Sequence, residues 1–163
     1  MGEPAGGSGG MGWTEDMAAG AGSRAFRACA GRRGGADGVL RIADARRRNG
    51  VGPAVGTKLN LPLPPGASDE HYHAAWERVE DYLRAGRPDF ILFQCGADSL
   101  EGDPITHLRF SEDAHAHAAA RLCAIADELG HGRVVGMGGG GYNRRNIARA
   151  WTRVVQAFVE GSG

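Results

Sequence analysis

No apolar run in this 163-residue chain approaches the roughly 18 residues that a membrane-spanning helix needs, so no membrane partner is expected. The N-terminus lacks the apolar core of a secretory signal. Charge of neither sign is in excess, since 19 Lys and Arg balance 19 Asp and Glu. Nothing in that balance draws the chain to nucleic acid or to an anionic membrane. Cysteine is scarce: Cys29, Cys95 and Cys123 are an odd number and form no Cys-x-x-Cys pair. Reduced thiols and a cytoplasmic location are therefore expected. Histidine is absent from Met1 through Gly50. The length sets a ceiling of one domain.

What is present divides in two. About half of the 28 glycines fall in Met1–Gly50, mixed with alanine and with arginines that have few apolar neighbours. Residues 1–50 are thus expected to be low-complexity and disordered, with Val39-Leu40-Arg41-Ile42 as the one plausible ordered piece. The abrupt change of character near Gly50 fits either a divergent N-terminus or a non-native segment translated from another frame of GC-rich DNA.

From residue 51 to 163 the pattern is that of an α/β fold. Thr57 to Leu61 suits a short strand stopped by prolines. Ser68 to Ala85 predicts a helix, with Ser68 as cap and Tyr72, Trp76, Val79 and Leu83 as one apolar stripe. Phe90-Ile91-Leu92-Phe93 is a continuous apolar run, as in a parallel strand covered on both faces. A second helix is expected over Glu112 to Leu129, capped by Ser111, with Leu122, Ile125 and Leu129 inward. A second buried strand is expected over Arg133 to Met137. The last helix, capped by Asn143, turns Ile147, Trp151, Val154, Val155 and Phe158 inward. Strands alternating with helices in this order predict a doubly wound, mainly parallel sheet.

Two strand ends present a reactive side chain each, where ligands bind in open α/β sheets. Asp98 follows Gly96 and is a carboxylate available to a metal; the plainer alternative is an ordinary turn. Tyr142 closes a run of four glycines and can donate a hydrogen bond to a developing oxyanion; the alternative is an exposed aromatic on a flexible turn. Gly136-Met137-Gly138-Gly139-Gly140-Gly141 also satisfies Gly-x-Gly-x-x-Gly, but the fingerprint's second strand with its acidic residue does not follow. Nucleotide binding is rejected on that ground. His71 and His73, and likewise His115 and His117, lie two apart and so share no helical face. Asp69-Glu70-His71 has the spacing of an Asp-x-His metal pair, yet it falls in the first turn of a helix and reads as surface. Cys95, at the end of a strand, reads as an apolar filler rather than a nucleophile.

The segments Gln94-Cys95-Gly96-Ala97-Asp98-Ser99-Leu100, Gly102-Asp103-Pro104-Ile105-Thr106-His107-Leu108, Gly138-Gly139-Gly140-Gly141-Tyr142-Asn143 and Ala150-Trp151 resemble the C-terminal part of the histone deacetylase superfamily. The branch that looks most similar is the bacterial acetoin-utilisation deacetylases. The likeness runs from about Gly52 onward. It implies an incomplete arginase/deacetylase-like fold of three layers around a parallel sheet, and zinc-dependent removal of acetyl groups from N-acetyl-lysine or small acetylated amines. By resemblance Asp98 is a zinc ligand, Tyr142 is the catalytic tyrosine, and Ile105, Gly140 and Gly141 line the substrate channel. His107 is placed at the rim of the site. The family's general-base histidines and its Asp-x-His zinc pair have no counterpart here. The chain is therefore expected to be catalytically incomplete and marginally stable. A non-catalytic remnant that binds a partner, or itself, through an exposed sheet edge is the alternative.

Overall fold

A computed structural model of the chain describes residues 57–161, together with the backbone of two strands over 24–31 and 38–44. Five strands form one sheet: β1 (Arg24–Gly31), β2 (Gly38–Asp44), β3 (Lys58–Leu63), β4 (Phe90–Gln94) and β5 (Val134–Met137), in the order β3-β2-β1-β4-β5. Helix α1 (Asp69–Gly86) joins β3 to β4, α2 (Glu112–Glu128) joins β4 to β5, and α3 (Arg144–Glu160) follows β5.

β2 pairs parallel with β3, and β4 with β5, while β1 runs antiparallel to both of its neighbours. The expected parallel sheet is thus present with one reversed strand in its middle. That strand reads Arg-Ala-Phe-Arg-Ala-Cys-Ala-Gly and lies where no ordered element was expected. Val39 to Ile42, the one ordered piece foreseen in that region, lies within β2. The rest of the expectation for residues 1–50 lies outside the described residues.

One core cluster joins all three helices to the sheet. Leu61 and Leu63 of β3 and Ile91 and Phe93 of β4 meet Tyr72, Trp76, Val79 and Leu83 of α1, Leu122 and Ile125 of α2, and Val154 of α3. The periodicity in α1 is therefore its inner stripe, as read from the sequence. The doubly wound arrangement is not found among the described residues. Burial alternates along β4 and β5, and among the described residues the helices cover one face of these strands. Phe90, Val135 and Met137 are exposed. The physical reason is topological. The step from β3 to β4 and the step from β4 to β5 run the same way along the sheet. A shared crossover hand then puts both connecting helices on one side.

In α3 the buried residues are Asn146, Ala150, Val154 and Ala157, not the larger ones. Ile147 and Val155 face outward, while Trp151 and Phe158 are half-buried. Small side chains on the inner line let α3 lie close against α2. Glu80 of α1 accepts from Arg121 Nε of α2 at 2.5 Å and from Trp76 Nε1 of its own helix at 2.9 Å. Those bonds, that from Arg121 foremost, hold its carboxyl at about 2 despite partial burial.

Helix ends follow local chemistry. Ser111 Oγ accepts from Asp113 N at 3.1 Å, and Asn143 Oδ1 accepts from Arg145 N at 3.0 Å. Arg87 takes the left-handed conformation (φ 43°) just past α1, and its N–H bonds Leu83 O at 3.0 Å. Pro88 cannot continue the helix.

Candidate active site

The loops that leave β4 and β5 lie at the carboxyl ends of adjacent parallel strands and pack on one another. Backbone bonds join them: Cys95 N–H to Met137 O at 2.9 Å and Ala97 N–H to Gly140 O at 2.7 Å. Ala97–Ser99 then makes one 3-10 turn, which folds Asp98 inward to 6 % exposure. The Asp98 carbonyl accepts from Thr106 Oγ1 at 2.6 Å, which ties the turn to the returning part of its own loop. Behind it, Ser99 Oγ lies 2.9 Å from His115 Nε2 of α2. Both groups are wholly buried.

The glycine run has to be glycine for the same reason. A methyl group at Gly140 would overlap Asp98 Oδ2 and lie 2.6 Å from its Cγ. Gly141 adopts φ 136°, and a methyl group there would meet Ala97 Cβ and Ile147 Cγ1 at 3.1 Å each. Only glycine takes that conformation without strain while its backbone passes this close. Gly140 and Gly141 thus form a smooth wall against the Asp98 turn. Tyr142 comes next and is 62 % exposed, so its phenol stands at the rim. Ile105 is also exposed, at 56 %, on the opposite loop.

Asp103 joins these two rim residues and has no role assigned from sequence. It is buried, its Oδ1 accepts from Ile105 N at 2.9 Å, and its Oδ2 accepts from Tyr142 N at 2.8 Å. The first bond is an Asx turn, which an aspartate beside a proline signals locally. The second spans 39 positions and has no local signal. Neighbouring ties run the same way: Asn146 Nδ2 donates to Glu101 O at 3.1 Å, and Asn143 Nδ2 to Gly102 O at 3.4 Å.

The other candidates resolve into structure. His71 Nδ1 accepts from Ser68 N at 3.3 Å, and Asp69 accepts from Ser111 N at 2.8 Å, so Asp69-Glu70-His71 serves the helix starts. His115 points inward. His117 faces α1, where its Nδ1 lies 3.1 Å from Tyr72 Oη and its ring meets His73 edge-on at 4.7 Å. His107 is exposed, and its carbonyl accepts from Gly66 N at 2.7 Å. Burial pushes the Cys95 thiol up to about 12, and its Sγ lies 3.4 Å from Met137 O, which leaves no thiolate for attack. Among the described residues no group of three or more His, Cys, Asp or Glu is placed to hold a metal ion. Asp98 supplies one hard donor, so the described residues do not complete a zinc site.

A histone deacetylase domain profile matches residues 42–158. The chain belongs to the histone deacetylase family. The family match therefore takes in both loops and every strand from β3 onward. Histone deacetylase clr6 of Schizosaccharomyces pombe is 33 % identical over 104 residues, which cover 63 % of this chain and 24 % of that protein. A probable deacetylase of Archaeoglobus fulgidus is 35 % identical over 95 residues, covering 58 % of this chain and 26 % of that protein. The solved structure of the histone deacetylase Clr3 superposes with a TM-score of 0.63 at 31 % identity, over 68 % of this chain and 18 % of that one. The deacetylase fold expected from the loop motifs is thus present, and the chain spans about a quarter of the curated relatives it matches. No described helix is long and apolar enough to cross a membrane.

Proposed function

We propose that this chain carries the oxyanion-facing loop and one metal-facing loop of a zinc-dependent deacetylase. The observation that carries the proposal is Asp98, a buried carboxylate set against the Gly140–Gly141 wall, with Tyr142 directly after that wall. The phenol of Tyr142 donates its proton in a hydrogen bond to the acetyl carbonyl as that oxygen gains charge. Ile105, Gly140 and Gly141 line the passage for an acyl-lysine side chain. The glycines keep that passage narrow without adding side chains to it. Asp98 would offer its carboxylate as one ligand to zinc, and the remaining ligands and the histidine base would come from outside this chain, since residues 1–56 hold no histidine. The substrate class is N-acetyl-lysine or a small acetylated amine, the branch that of the bacterial acetoin-utilisation deacetylases, and the location cytoplasmic.

Turnover of a fluorogenic acetyl-lysine peptide by the purified chain with zinc is expected to match the blank. Turnover lost in both Tyr142→Phe and Asp98→Ala would overturn that incompleteness and establish both roles. The metal role has its own readout. Mn2+ is expected to broaden the amide resonances of Asp98 and Gly140, and not in Asp98→Ala. Equal broadening in that variant would remove Asp98 from the ligand set.

A second reading is favoured by the exposed edge strand. Among the described residues β5 has a strand partner on one side only, with Val135 and Met137 exposed. An open ladder recruits further strands, so self-association is expected. Sedimentation at micromolar concentrations should show dimers or larger species, and a strict monomer would count against this reading.

A further inference from the structure

We propose that Asp103 is a positioning residue that sets the rim of the site, holding the loops of Ile105 and Tyr142 at a fixed separation. The catalytic sense of this rests on the deacetylase reading above; the geometry does not.

Asp103 is a carboxylate at 7 % exposure, and among the described residues its two oxygens face backbone N–H groups. A buried charge of this kind persists only where N–H donors replace its water. Here the two donors come from different elements. One is the N–H of Ile105, two residues on in its own loop, and the other is the N–H of Tyr142 on the far loop. Each oxygen serves one donor, so the two backbone segments meet at one rigid planar group. The site of attachment adds to this. Tyr142 precedes the Asn143 cap of α3, whose first N–H groups favour negative charge nearby. The carbonyls of Glu101 and Gly102, just before Asp103, accept from Asn146 and Asn143 at that same helix start.

The consequence is specific to the rim. The inner contact between the loops, Ala97 N–H to Gly140 O, does not involve Asp103. Asp98 and the glycine wall are held by that contact, while Tyr142 and Ile105 are held by Asp103. Both rim side chains are mostly exposed and have little packing of their own to orient them. A carboxylate is the side chain suited to this task. Asparagine of the same size has one carbonyl oxygen, and its NH2 would face the second N–H.

Amide hydrogen exchange followed by NMR on the full chain tests this. In Asp103→Ala the Tyr142 and Ile105 amides are expected to exchange at least about tenfold faster, while the Ala97 amide stays within about twofold. In Asp103→Asn one of the two amides is expected to stay protected and the other to be released. That split is not produced by a general loss of stability, and the isosteric variant keeps the test available if the alanine variant does not fold. Unchanged exchange at Tyr142 and Ile105, or release of Ala97 in parallel with them, would overturn the proposal. Amide exchange at these positions reads loop geometry and not acetyl-lysine chemistry, so failure of the deacetylase reading would leave this exchange pattern as it is.

Discussion

Gly140→Ala is expected to lower the urea midpoint by an amount equal to about 1–3 kcal/mol and to abolish metal-induced broadening at Asp98. Neither side of that contact has room to retreat. The Gly140 carbonyl is fixed by the Ala97 N–H at 2.7 Å, and the Asp98 carbonyl by Thr106 Oγ1 at 2.6 Å. A methyl group would overlap Oδ2 and sit 3.0 Å from Oδ1. The carboxylate would have to rotate out of the position in which it faces the site. Two residues earlier, a methyl group at Gly138 would lie 3.6 Å from Trp151 Cζ2, an ordinary contact. Gly138→Ala should therefore stay within about 0.5 kcal/mol of the parent chain. If the two alanine variants behave alike, the close approach of the glycine loop to Asp98 is not what this geometry describes.

Acid is expected to remove about 3 kcal/mol of stability between pH 6.5 and pH 4, chiefly through His115. Burial pushes this imidazole from its ordinary value of 6.5 down to about 4, against a smaller upward pull from Asp69 and Glu112. In the unfolded chain the same histidine takes up its proton near 6.5. Between the two values the unfolded state binds more protons than the folded one. Stability is therefore full above 6.5, falls as pH drops, and stops falling on this account below about 4. Burial also lowers His117 and His131, with the same sign. Glu80 loses its contribution only below its ordinary value of 4.5, toward about 2. Urea titrations at pH 7.5, 6.5 and 5.5 thus read the histidines before Glu80, Glu112 and Glu128, whose carboxyls are also held low, begin to take up protons. His115→Gln should flatten most of that slope, and an unchanged slope would rule out His115 as its source.

The sequence foretold those elements in which side-chain pattern and burial have the same cause. α1 carries its large apolar residues on the face that meets the sheet, so spacing and core agree. In α3 they diverge. Packing against Ala97 and Leu100 places Ala150 inward and the main core places Ala157 inward, which leaves Val155 and Ile147 at the surface, where no periodicity distinguishes them. β1 could not be read because its arginines and alanines do not alternate as a half-buried strand does. Its antiparallel place between β2 and β4 is set by pairing across the sheet. The placing of Asp98 and Tyr142 in loops at two neighbouring strand ends was readable because each follows a strand run. Asp103 was not, because its partner is set by how two loops meet.

The two loops are fastened to one another by main-chain groups at their base, and further out by the Asp103 carboxylate and the amides of Asn143 and Asn146. Main-chain fastenings are indifferent to which side chains the same residues bear. Pro104, Ile105 and His107 can therefore be exchanged without disturbing the seat of Asp98, whereas Gly140 and Gly141 cannot. Selection acting on such loops can alter the rim one residue at a time, over a foundation that stays constant. Diversity among its relatives should then be concentrated in the outer residues of the loops, and uniformity in the glycines beneath them.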